Sequence, residues 1–99
     1  MASPTVTATG TKSSVPSSTS SVTILAANPG RKDATIHNNS TATLYLDLSG
    51  GTASATSFTI KIFADGYYEL PRNPWGVYTG LITGIWSSAN GNAQVTEFK

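Results

Sequence analysis

From Ser21 onward the chain alternates apolar and polar residues with a period of two, and turn residues interrupt it every few positions. That pattern fits strands with one buried face, and no segment carries a helical period over a useful length. Val22, Ile24 and Ala26 share one face of a first strand. Asn28-Pro29-Gly30-Arg31 predicts a type II turn, with Gly30 supplying positive φ. Ala34, Ile36 and Asn38 line up in a second strand with Thr35 and His37 opposite, and Asn38-Asn39-Ser40 reads as turn chemistry. The third strand is the clearest, with Ala42, Leu44, Leu46 and Leu48 on one side and Thr43, Tyr45 and Asp47 on the other.

Phe58, Ile60 and Ile62 form the next face. Asp65-Gly66 reads as a hairpin turn leading to Tyr67–Leu70, with Asp65 opening the turn. Pro71-Arg72-Asn73-Pro74 cannot continue a central strand. Val77 to Ser87 reads as one long strand or two short ones, with bends or bulges at Gly80 and Gly84. Asn90-Gly91 is the strongest hairpin signal, and Ala93–Phe98 returns as the last strand. The expectation is an all-β domain over residues 21–99. It would be a small antiparallel β-sandwich or barrel of about seven strands.

Residues 1–20 differ from the rest. Eleven of the twenty are Ser or Thr, and Lys12 is the one charge. Alone, such a segment buries too little apolar surface to offset its ordering entropy, so it predicts an extended N-terminal arm held by another chain. A domain of this size, with no cysteine to form a disulfide, has a thin stability margin. Oligomerisation is the natural remaining source of stability.

Charge excludes further classes. The charged fraction is 11% and the net charge is +1, with basic residues scattered along the chain. That argues against nucleic acid and anionic membrane as partners. No apolar run is long enough to span a bilayer. The N-terminus lacks a signal-peptide pattern, so the expected place of folding is a reducing cytosol. With one histidine and no cysteine, no metal or other cofactor is expected.

Catalysis finds little to work with. His37 is the single histidine, on the outward face of a short strand, and no G-x-S-x-G stretch accompanies it. Asp65 and Glu69 are the one close pair of acids, and they flank Tyr67-Tyr68. A glycosidase needs two carboxylates across a cleft, which a chain this short can hardly build. The expectation is a non-enzymatic protein. Aromatics cluster in the second half, where Trp75 sits beside Arg72 in "PRNPWG". Trp and Arg dominate interface hot spots, so Arg72, Trp75, Tyr67 and Tyr68 are candidate contact residues for a protein or a sugar ring. The bland reading makes Trp75 a cap on one end of the sandwich and Trp86 a core anchor. Thr5, Val6, Thr7 and Val15 are the candidate contacts of the arm.

Three stretches carry a resemblance: "ILAANPGRKDATIHNNSTATLYLDLSGG", "FTIKIFADGYYELP" and "VYTGLITGIWSSANGNAQVTEF". As a set, covering about Thr23 to Phe98, they resemble small virion structural proteins of tailed bacteriophages. The resemblance implies a capsid decoration (cement) protein, assembled in the host cytoplasm and resident in the virion. Its partners would be the major capsid protein or another virion protein, and copies of itself, with a trimer favoured. The alternatives are a neck, tail or head-fibre component, or a carbohydrate-binding module that uses Tyr67, Tyr68 and Trp75 as a stacking platform. No catalytic residue carries over from the resemblance.

Overall fold

The computed structural model describes residues 8–99. Among these the chain is all-β, with eight strands in two antiparallel four-stranded sheets that do not close into a barrel, as a sandwich requires. The strands are β1 (Gly10–Pro16), β2 (Val22–Leu25), β3 (Asp33–Ser40), β4 (Leu44–Asp47), β5 (Ile60–Ile62), β6 (Tyr67–Glu69), β7 (Ile82–Trp86) and β8 (Gly91–Phe98). Sheet A has the order β1-β8-β3-β6 and sheet B the order β2-β7-β4-β5. Strands β2 to β8 fall in the seven segments where the alternation places them. β1 lies within the Ser/Thr-rich residues expected as an arm. It is extended, but it pairs with the chain's own β8 from Gly10↔Phe98 to Pro16↔Asn92. Main-chain hydrogen bonding to β8 is its chief anchor.

Only β4 and β5, among consecutive strands, are neighbours in one sheet. Every other connection steps from one layer to the other. Two expected hairpins are therefore arches. Phe63–Gly66 turns the chain from β5 in sheet B to β6 in sheet A, with Gly66 N–H donating to Phe63 O at 2.9 Å. Asp65 is the third residue of this turn rather than its first, and takes φ 63°. Asn90-Gly91 likewise passes from β7 to β8 across the layers. Gly91 has φ 131°, and a Cβ there would run into Asn39 O, so glycine serves both the conformation and the close approach. Turn residues specify a reversal; they do not specify which sheet the next strand joins.

Three smaller expectations also change. The Asn28–Arg31 turn closes by Arg31 N–H to Asn28 O at 3.0 Å, but Gly30 stays out of the positive-φ region. The Asn28 side chain instead accepts from Gly30 N–H at 3.0 Å and stabilises the turn locally. Gly84 marks no bulge in β7; the register shift falls on the facing β2, between Thr23 and Leu25. A Cβ on Gly84 would lie 2.9 Å from Ile24, so it is a packing glycine. Phe58 leaves the face of Ile60 and Ile62 and stacks on the outward Tyr45, ring centroids 5.0 Å apart.

The core lies between the layers. Ala34, Ile36, Ala93 and Val95 of sheet A meet Ile24, Leu44, Leu46, Ile62, Ile82 and Trp86 of sheet B, all buried. Asn38 is fully buried among them. It continues β3 instead of ending it. Its Nδ2 donates to Ala42 O at 2.7 Å, Ile62 O at 3.0 Å and Phe63 O at 3.2 Å. Its Oδ1 accepts from Ser40 Oγ at 2.7 Å and Trp86 Nε1 at 3.1 Å. The amide orientation is unambiguous, because the indole only donates and carbonyls only accept. The backbone of Asn38 also serves the arch, donating to Gly66 O and accepting from Asp65 N–H.

A second polar clamp closes the far end of the sandwich. The Arg31 side chain is fully buried and its Nε donates to Glu97 Oε2 at 2.9 Å. Its Nη1 donates to Tyr78 O and Gly80 O, and its Nη2 to Ala26 O at 2.7 Å. Arg31 thus ties the β2–β3 and β6–β7 connections to β8. No buried side-chain nitrogen or oxygen among the described residues lacks a partner.

Both clamps are testable by unfolding in urea. Asn38→Ala strands the Trp86 indole N–H and several buried carbonyls, and should cost about 3 kcal/mol or more, given ~1–3 kcal/mol per buried unsatisfied group. Arg31→Met leaves Glu97 without its cation and should cost about 3–5 kcal/mol. A loss within about 0.5 kcal/mol, as at ordinary surface sites, would contradict the role given to either residue.

Candidate interaction surface

The residues expected to make contacts separate in space. Thr5, Val6 and Thr7 lie outside the described residues. Val15 faces inward from β1 opposite Ala93, half-buried against the core. Tyr67 and Tyr68 are neighbours in β6 and so point to opposite faces. Tyr67 stands on the outer face of sheet A beside His37, with 75% of its surface exposed. Tyr68 faces Ile36 and packs against the core, where burial raises its phenol pKa. The two tyrosines therefore cannot form one stacking platform.

Trp75 is 77% exposed at the tip of a tight turn. Asn73 and Gly76 close that turn by a bridge and a 2.8 Å hydrogen bond. Pro74 occupies the second position, where its fixed φ suits the turn, and Gly76 takes φ 103° just after Trp75. The indole is thus presented outward from a constrained loop, and it does not cap the sandwich. Trp86, by contrast, is the buried core anchor.

Arg72 forms the charged part of this region. Its Nη2 donates to Asp33 Oδ2 at 2.8 Å and lies 3.9 Å from Glu69 Oε2. Burial of Asp33 works to raise its pKa. The hydrogen bonds from Arg72 and from Ala34 N–H outweigh that, and the carboxyl ends below its ordinary value. The Asp33 carboxylate in turn raises the Arg72 pKa. These residues line an open cavity of ≈ 700 Å³ together with Lys32, Thr35 and Phe98. Its acids already hold the Arg72 guanidinium. No group of three or more His, Cys, Asp or Glu side chains among the described residues could hold a metal ion.

The remainder of the outer face of sheet A is a polar ladder. Gln94 Nε2 donates to Ser14 Oγ and to Asn92 Oδ1, and Asn39 Nδ2 donates to Asn92 Oδ1. His37 Nε2 lies 3.2 Å from Asp65 Oδ1, and that carboxylate is 87% exposed. The Asp65 carboxylate thus sits in water, unlike the buried acid that orients a catalytic histidine.

One feature of the surface is not marked by any motif. Strand edges invite pairing with other chains, and short or bulged edges blunt that tendency. Three of the four sheet edges here are blunted: β5 and β6 span three residues each, and β2 carries a register shift. The fourth, β1, pairs with β8 over seven residues without a break. Its residues are exposed apart from Val15, which is half-buried. The recognisable signal is Pro16, which ends a run of Thr and Ser at alternate positions. No family model, curated protein or solved structure matches the chain.

The Asp33–Arg72 pair gives a pH signature. The folded chain binds fewer protons than the unfolded chain between the lowered and the ordinary Asp33 pKa, so stability rises with pH there. The contribution is complete above the ordinary carboxylate range and disappears as pH falls through the lowered value. Arg72→Ala should reduce stability near neutral pH, and its difference from the parent chain should vanish in acid. Unfolding midpoints across that range check this; a difference independent of pH would contradict it.

Proposed function

We propose that the chain is a non-enzymatic structural subunit of a tailed-bacteriophage particle, a decoration protein that binds and stabilises the head shell. The observation that carries this reading is the long, exposed edge of β1, beside three edges that are blunted. Such an edge suits assembly with other subunits by strand addition, in which main-chain hydrogen bonds supply affinity. Repeated over many copies, modest individual contacts hold a shell through multivalency. The sequence resemblance points the same way. So does the use of the buried polar groups: Arg31, Asp33, Asn38 and Asp47 each hold a turn, a strand end or a layer contact.

The same sandwich would serve a neck, tail or head-fibre component, and copy number separates these positions. Quantitative mass spectrometry of purified particles should find hundreds of copies per particle, on the order expected for multivalent shell cover. A few copies would move the protein to the neck, tail or fibres, and absence would overturn the virion reading. The exposed Trp75 and Tyr67 favour one further reading, a carbohydrate-binding module. In that case Trp75→Ala abolishes glycan binding and leaves particle attachment intact. In the decoration reading the same variant weakens shell binding by about tenfold or more, the ~1.4 kcal/mol or greater loss expected of a hot spot.

A further inference from the structure

Which main-chain groups of β1 face outward follows from its pairing with β8. Thr9 and Lys99 exchange both hydrogen bonds, and Ser17 N–H donates to Gly91 O. In an antiparallel ladder the bonded pairs alternate. Thr11, Ser13 and Val15 therefore bond to β8, while Gly10, Lys12, Ser14 and Pro16 direct their main-chain groups to the free edge. Pro16 falls where its missing N–H costs the ladder nothing, as on an edge strand. Among the described residues this edge has no strand partner.

We propose that the edge pairs with the same edge of a second copy, antiparallel and related by a twofold axis at Ser13, so that the two A sheets become one continuous sheet. The proposal rests on the reading of the chain as an assembly subunit and names the partner of its open edge. In this register Lys12 lies opposite Ser14 of the second copy, and Gly10 opposite Pro16. Lys12 and Ser14 exchange both bonds, and Gly10 N–H reaches the Pro16 carbonyl. Every outward N–H of the strand finds an acceptor. The one unfilled donor position is that of Pro16, at the margin of the pairing.

The neighbouring registers are worse. Moving the axis to Lys12 sets two ammonium groups directly opposite, and like charges facing across a strand pair repel. Moving it to Ser14 leaves the Gly10 N–H without an acceptor and brings Pro16 inward against Lys12. Lys12 would ordinarily discourage edge pairing. Here it selects one register. Apart from Lys12 and Val15, the strand consists of Gly, Thr, Ser and Pro, so no bulky side chain opposes the approach. The contact uses the same patch on both copies and closes at two. This twofold contact differs from the threefold association expected from the sequence.

The chain has no cysteine, which makes a single introduced thiol a clean probe. At the axis, Ser13 would face its own counterpart as a non-bonded pair, with Cα atoms about 4.5 Å apart, within reach of a disulfide. Mild oxidation should convert Ser13→Cys to a covalent dimer. Thr11→Cys, on the same face but opposite Val15 of the second copy, should form no covalent dimer. Sedimentation of the unmodified full chain should show a reversible dimer. Ser14→Pro removes an outward N–H without touching the β8 ladder, and should weaken the dimer by at least about tenfold while the fold persists. A monomer at all accessible concentrations, equal cross-linking of both cysteines, or Ser13→Cys linking instead to a cysteine of another virion protein would overturn the pairing. A monomeric chain found in particles would overturn this inference alone. A dimer absent from particles would overturn the virion reading and leave the pairing standing.

Discussion

One buried amide fixes how the two layers of this sandwich sit on each other. Because the chain changes sheets at nearly every connection, few consecutive strands are tied by a ladder. What joins the layers is side-chain contact, and apolar contact has no direction of its own. The Asn38 side chain supplies direction. From β3 in sheet A it grips three carbonyls and the Trp86 indole of the opposite side, while its backbone holds the Asp65-Gly66 arch. A shift of one layer over the other would leave these groups buried and unpaired, which is far more costly than displacing methyl groups.

Arg31 and Glu97 do the corresponding work at the other end, by gathering loop carbonyls around a buried guanidinium. A disulfide-free domain of this size gains from such clamps at both ends. The surface is then left with a polar ladder, a projecting tryptophan and one open strand edge. These features suit a subunit that acts by contact.

Much of the fold is legible in the sequence because period-two alternation is a direct consequence of strand geometry. It places β2 through β8 and puts Asn38 on an inward face; Trp86 in the core follows instead from the common use of one tryptophan as an anchor in small β domains. Sheet membership was not legible. Asp65-Gly66 and Asn90-Gly91 encode chain reversal equally well for a hairpin and for an arch. β1 was not legible as part of the domain, because its hold on β8 is mainly main-chain hydrogen bonding, which Ser and Thr do not advertise. Arg31 reads as one of several scattered cations, since nothing local marks a guanidinium whose partners come from two distant segments as well as its own loop. Among the contact residues, the separation of Tyr67 from Tyr68 follows from strand alternation alone. The exposure of Trp75 depended on where its loop projects.

The most direct test of this account is hydrogen exchange at the two indole N–H groups, followed by NMR in increasing denaturant. Trp75 is the internal reference, because the residue is 77% exposed and its indole should exchange freely. The Trp86 indole donates to Asn38 and is buried. If Asn38 is the junction on which both layers depend, the Trp86 proton should exchange only through global unfolding, with the same free energy and denaturant slope as the whole domain. Exchange of that proton through a smaller, local opening would show that the layers part without releasing the fold, and would contradict the central role of Asn38.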